Sequence, residues 1–152
     1  MTTLVVGTDG SESAIEAAVA GLAILRPCDR VIVVSVADVL DPSLADDATG
    51  HAAASRTPAE LDDDNRAAHA TGREAVESTV SALSARATLP DAVEATVIEG
   101  EPGPALCTLA KDEGAAVIVI GSRGRGGIKR ALLGSVSDYV VRNAPCSVVV
   151  TR

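Results

Sequence analysis

Between Ala116 and Val136 the chain commits itself to one kind of architecture. Ala116, Val117, Ile118, Val119 and Ile120 form an unbroken apolar run. It is too short for a buried helix and reads as a strand covered on both faces, as in a parallel sheet between helices. Gly121 breaks the run, a loop rich in glycine and arginine follows, and a helical pattern resumes at Gly134 and Ser135 with Val136, Tyr139 and Val140. Strand, glycine loop and helix N-terminus together make a phosphate cradle. Glycines let the backbone approach the anion, successive N–H groups point inward, and the helix dipole favours negative charge. Ser135 reads as the N-cap, from which its hydroxyl can turn to a phosphate oxygen.

The rest of the chain repeats the strand–helix alternation. Thr3–Gly7 is a short β-branched run read as the first strand, ending at Gly7, Thr8, Asp9 and Gly10. Ser11 then caps a helix running to Leu25, with Pro27 just past its end. Arg30–Val36 is a second buried strand. From Ala37 to about Glu60 the periodicity is lost among Pro42, Gly50 and Pro58, giving a long loop at the same sheet end as Asp9. A helix follows from Glu60 to Ala87. Its Asp62, Asp63 and Asp64 point in different directions and complement the helix dipole rather than gather a metal. Val93–Glu99 reads as a strand nearer the sheet edge, and the Gly100–Pro104 turn leads into a helix from about Ala105 to Glu113. A last helix, Ser135–Asn143, precedes the strand Ser147–Thr151. The predicted fold is a single α/β domain over residues 1–152. It is an open twisted sheet of five mostly parallel strands in the order 3-2-1-4-5, with two helices on each face. The order reverses between strands 1 and 4, which end at Asp9 and Gly121, and such sheets bind ligands where the order reverses.

Composition narrows the class of partner. The net charge of −8 argues against nonspecific nucleic-acid or anionic-membrane binding. Lys111 and Lys129 are the only lysines, so the acidic surface fits either salt adaptation or a GC-rich genome. With no Trp or Phe and a single Tyr, the core must be built from Ala, Val, Leu and Ile. Cys28, Cys107 and Cys146 are too widely spaced for a zinc pattern. An odd count without a leader sequence fits a reducing cytoplasm. No apolar stretch is long enough to span a bilayer. His51 and His69 lack partner patterns and read as surface residues.

The spacing Gly121-x2-Gly124-x9-Gly134-Ser135 resembles the ATP signature of the universal stress protein family, in its nucleotide-binding branch, at every fixed position. The resemblance covers nearly the whole chain. It implies a Rossmann-like fold of the adenine nucleotide alpha hydrolase type, binding ATP, with ADP, AMP and cyclic AMP as alternatives. Mg²⁺ bound through the phosphates is compatible with this, since it binds readily through substrate oxygens and water, although the sequence supplies no dedicated cage. The resemblance also implies that Gly7, Thr8 and Asp9 lie against base and ribose and that backbone at Val36 meets the adenine. Ile120, Gly121, Arg123, Gly124, Arg125, Gly134, Ser135 and Val136 would complete the nucleotide site, the phosphates being held mainly by backbone amides of the motif and the Ser135 hydroxyl, with the arginines in support. Lys129 and Arg130 extend the basic cluster, whose guanidinium groups suit phosphate oxygens. The terminal strand of the family pairs across a two-fold axis, so a homodimer through Ser147–Thr151 is expected, which would also satisfy the bare sheet edge.

No catalytic residue is evident. A Walker-type loop is absent, and neither histidine lies beside the phosphate loop. The expected function is therefore a regulatory, stress-response module that binds nucleotide. Two alternatives stay open: a slow ATPase or nucleotidyl-transfer enzyme of the same superfamily, or a nucleotide-free dimerisation module. HxGH is missing, and SGGxDS is matched poorly by the residues from Gly7 to Ala14.

Overall fold

A computed structural model of the chain describes residues 1–25, 27–39, 57–122 and 133–151. The elements run β1 (Thr3–Gly7), α1 (Glu12–Ile24), β2 (Arg30–Ala37), α2 (Pro58–Arg86), β3 (Ala92–Glu99), α3 (Pro102–Asp112), β4 (Val117–Gly121), α4 (Ser135–Asn143) and β5 (Ser147–Thr151). They form one five-stranded sheet in the order β3-β2-β1-β4-β5, as predicted, and all four pairings are parallel.

Strand alternation sorts the apolar residues into two cores. Val5, Ile32, Val34, Ile118 and Ile120 face Leu106 and Ala110 of α3 and Val140 of α4. Leu4, Val6, Val31, Val33 and Val119 face Ala18 of α1 and Val76 and Leu83 of α2. Two helices thus cover each face, and the middle of each central strand is a continuous apolar run because both faces are buried. With so few aromatics, small residues bring helix and sheet close. At Gly21 of α1 an added Cβ would lie 2.3 Å from Val119 Cγ1.

The ends of the elements follow local chemistry. Ser11 caps α1 by accepting from the Ala14 N–H at 3.2 Å. Thr57 and Glu60 form a reciprocal capping box at the start of α2, with Pro58 as its first residue. The helix therefore begins two residues before the predicted Glu60, and Asp62 and Asp63 lie in its second turn, where both pair with Arg66. Prediction and structure also differ at α3, which starts at Pro102 rather than near Ala105. The first N–H groups of a helix have no partner within it, so a proline there gives up nothing. The segment 40–56, with most of the predicted loop and His51, lies outside the described residues.

At the amino end of the sheet, Arg30 of β2 bridges Glu94 of β3 at 2.7 Å and Glu113 beyond α3 at 2.5 Å. The guanidinium holds the Glu94 carboxyl below its usual range, and the two carboxylates raise Arg30. The three cysteines are free and half-buried, and burial pushes each thiol up. All three pack against the cores, as small apolar residues would.

Candidate functional site

The strand order reverses about β1, whose Gly7 pairs with Val34 of β2 on one side and Ile120 of β4 on the other. Beyond Gly7 the chain leaves the sheet in a turn that is firmly tied. The Thr8 N–H donates to the Val34 carbonyl at 2.9 Å. The Asp9 carboxylate accepts from both the N–H and the hydroxyl of Ser11 through Oδ1, at 3.0 and 2.6 Å. Gly10 has φ of +75°, a left-handed conformation that a side chain would strain. An added Cβ there would also lie 2.8 Å from the Ala75 backbone in α2. Asp9 is thus held by the turn it was predicted to occupy, whatever else it contacts.

Thr8 has its hydroxyl turned inward. It is buried, lies 2.9 Å from the Thr79 hydroxyl of α2, and accepts from the Gly10 N–H at 3.1 Å. A ligand would meet Thr8 through its backbone rather than its side chain.

On the β2 side of this turn a cleft of about 220 Å³ opens, lined by Asp9, Ser35, Val36, Ala37, Asp38, Ala68, Thr71 and Gly72. It unites Asp9 and Val36, two of the predicted contacts, at the carboxyl ends of neighbouring strands. Its far wall is α2, which sequence reasoning did not assign to the site. The only hint was the small-residue composition around Ala67–Gly72, which lets the helix backbone come near the sheet. Just outside the cleft, His69 Nε2 lies 2.7 Å from Glu99 Oε1, tying α2 to the end of β3. The histidine predicted to be solitary has a partner. Among the described residues no group of His, Cys, Asp and Glu could hold a metal ion.

On the β4 side lie both ends of the glycine loop. The Gly134 N–H donates to the Ser122 carbonyl at 2.8 Å, which also accepts from the buried Ser137 hydroxyl at 3.1 Å. The Ser122 N–H in turn donates to Thr151 of β5 at 2.8 Å. The loop therefore leaves and re-enters the fold at one point, with the amino end of α4 beside it. The N-cap of α4 is Gly134, not the predicted Ser135, which is the first helical residue. Gly134 takes the extended conformation, and its carbonyl accepts the Asp138 N–H. Among the described residues no side-chain cap bonds this helix end, the N-cap being glycine.

Gly7 and Gly121 close their strands as predicted. Ile120 is buried in the α3–α4 core, which leaves its backbone to face a ligand, and the half-buried Val136 packs against that core. Arg123, Gly124, Arg125, Lys129 and Arg130 lie outside the described residues.

Comparison with known proteins agrees with this geometry. The universal stress protein family model matches residues 1–152. Universal stress protein Slr1101 of Synechocystis is 46% identical over 57 residues, which span 38% of this chain and 53% of that protein. The chain aligns with about half or less of the length of the curated relatives it matches. A universal stress protein solved in complex with cAMP superposes with a TM-score of 0.64 at 25% identity, covering 99% of this chain and 97% of that one. The fold is also that of a universal stress family protein from Arabidopsis thaliana solved with AMP bound. That comparison has a TM-score of 0.62 at 19% identity, covering 99% of this chain and 90% of the other. The chain belongs to the universal stress protein family.

Proposed function

We propose that this universal stress protein binds an adenine nucleotide at the carboxyl end of its sheet, with ATP as the preferred ligand, and acts as a regulatory module. Base and ribose would occupy the cleft between Asp9, Val36 and α2, and the phosphates would lie along the glycine loop and the amino end of α4. The observation that carries this reading is the placement of the cleft and the closed loop base on either side of β1, where the strand order reverses. Size supports the division. A cleft of about 220 Å³ falls below the roughly 300–1,000 Å³ of pockets that enclose whole ligands. It suits a base and sugar, leaving a polyphosphate to extend toward Gly121. The cyclic AMP and AMP held by the two family structures are nucleotides of the same class.

Any Mg²⁺ would be carried on phosphate oxygens and water, since the described residues offer no cage for it. Among the described residues the partly exposed β5 pairs with β4 alone, and its free edge supports a homodimer formed through Ser147–Thr151. A solution mass of 15.3 kDa would rule that out. Among the described residues no helix is long and apolar enough to cross a membrane.

The decisive experiment is calorimetric titration of ATP, ADP, AMP and cyclic AMP, with and without Mg²⁺, into the wild type and Gly124→Val. ATP binding that is lost in the variant supports the phosphate loop as proposed. Absence of binding by wild-type protein freed of co-purified ligand would refute the nucleotide reading.

A further inference from the structure

We propose that Thr79, on α2 and outside every motif of the sequence, is a positioning residue that fixes the Thr8–Gly10 turn and through it Asp9. The proposal rests on the adenine-nucleotide reading above and deepens it. Thr79 is fully buried, and its hydroxyl donates to the Ala75 carbonyl one helical turn back, at 2.8 Å. A hydroxyl has one proton to give, so the 2.9 Å contact between the two threonines must carry the proton of Thr8. Thr8 then receives the Gly10 N–H at 3.1 Å. The result is a directed chain: Gly10 N–H to Thr8, Thr8 O–H to Thr79, Thr79 O–H to the Ala75 carbonyl.

Each link has one allowed direction, so the turn has one register on α2. Close packing reinforces it, because Gly10 rests directly on Ala75, the residue whose carbonyl ends the chain. The helix that fixes the turn also supplies the cleft wall at Ala68, Thr71 and Gly72. The distance from Asp9 to that wall is therefore set through Thr79. Replacing Thr79 by the near-isosteric valine leaves the Thr8 hydroxyl facing a methyl group, with its acceptor gone and water excluded. Thr8 must rotate to find another acceptor, and the Gly10 N–H loses its fixed partner.

The test is a double-mutant cycle between Thr79→Val and Asp9→Asn, with ATP affinity read by calorimetry and folding by thermal melting. If Thr79 acts through Asp9, Thr79→Val weakens ATP about tenfold, the equivalent of one net hydrogen bond. That loss disappears in the Asp9→Asn background, while the drop in melting temperature persists there. Thr79→Ser, which keeps the hydroxyl, restores wild-type affinity. Thr8→Val breaks the same link from the turn side and must show the same coupling to Asp9→Asn, so the proposal stays testable if Thr79→Val folds poorly. Equal losses in both backgrounds, or full affinity in Thr79→Val, would overturn the positioning role and leave nucleotide binding intact. Failure of the wild type to bind ATP would overturn both.

Discussion

The seat of α1 on the sheet can be tested by adding one methyl group. In Gly21→Ala the new Cβ would lie 2.3 Å from Val119 Cγ1, more than 1 Å inside the 3.4 Å where ordinary contact begins. Val119 cannot move aside easily. It is fully buried in β4, and branching at Cβ restricts its rotamers. The helix cannot lift freely either, since Thr151 donates its hydroxyl to the Ala17 carbonyl at 2.7 Å. An overlap this deep belongs at the upper end of overpacking costs, about 3 kcal/mol. Exchanging glycine for alanine within a helix returns about 1 kcal/mol, for a net loss of about 2 kcal/mol. Val119→Ala alone removes two buried methyl groups and opens a cavity, at a cost of about 2–3 kcal/mol. Together the changes compensate. The new methyl enters the space vacated by valine, the overlap vanishes and the helix propensity gain remains. The double variant should lose only about 1–2 kcal/mol, against about 4–5 kcal/mol if the two effects simply added. Urea unfolding of the four proteins, with equal denaturant slopes, measures the difference. Additivity within about 0.5 kcal/mol would show that α1 does not rest on Val119.

Two further expectations follow from contacts near either end of the sheet. Gly10→Ala combines a left-handed φ, costing about 1–2 kcal/mol, with a clash against α2 backbone that no side-chain rotation relieves. It should lower stability by about 3 kcal/mol and weaken ATP, and an unchanged urea midpoint would contradict the packing described. At the opposite end, Arg30 depresses the Glu94 carboxyl, so this pair stabilises fully above the ordinary glutamate value of 4.5. Its contribution is lost as the pH falls through the lower folded value. Urea midpoints followed from pH 6 toward pH 3 should therefore decline less in Arg30→Met than in wild type, and parallel profiles would refute the coupling.

The strands were legible because four are apolar or β-branched runs closed by glycine or a polar residue, and β3 alternates as an edge strand does. Thr3–Gly7 and Ser147–Thr151 match the structure at both ends. Helix starts were less legible where two chemistries overlap. Pro102 and Pro104 fit the first turn of a helix, as the sequence suggests, yet they also suit the glycine-proline turn before it, so the sequence reads as a start near Ala105 instead of Pro102. Ser135 has the residue type of a cap, but glycine before it takes the extended conformation just as readily, and Gly134 became the cap. Asp9 and Val36 were placed by strand ends and by family resemblance. The cleft wall was not, because Ala68, Thr71 and Gly72 carry no chemical signature and matter only for how near they let α2 approach. The pairing of Thr8 with Thr79 joins residues 71 positions apart, and nothing local to either predicts it.

The parallel pairing of β1 with both β2 and β4 sets an order of events in folding. Leu4 meets Val31 across a single helix, but it meets Val117 only after nearly the whole chain has been gathered in. Closing the larger loop costs more chain entropy, so the first pairing can form while the second still waits. Until β4 docks, one edge of β1 remains bare in the middle of the future sheet, open to mispairing with another chain. The crevice where the strand order reverses is thus completed only when β4 docks, and a chain arrested before β4 would carry the cleft beside Asp9 without the loop base on its other side.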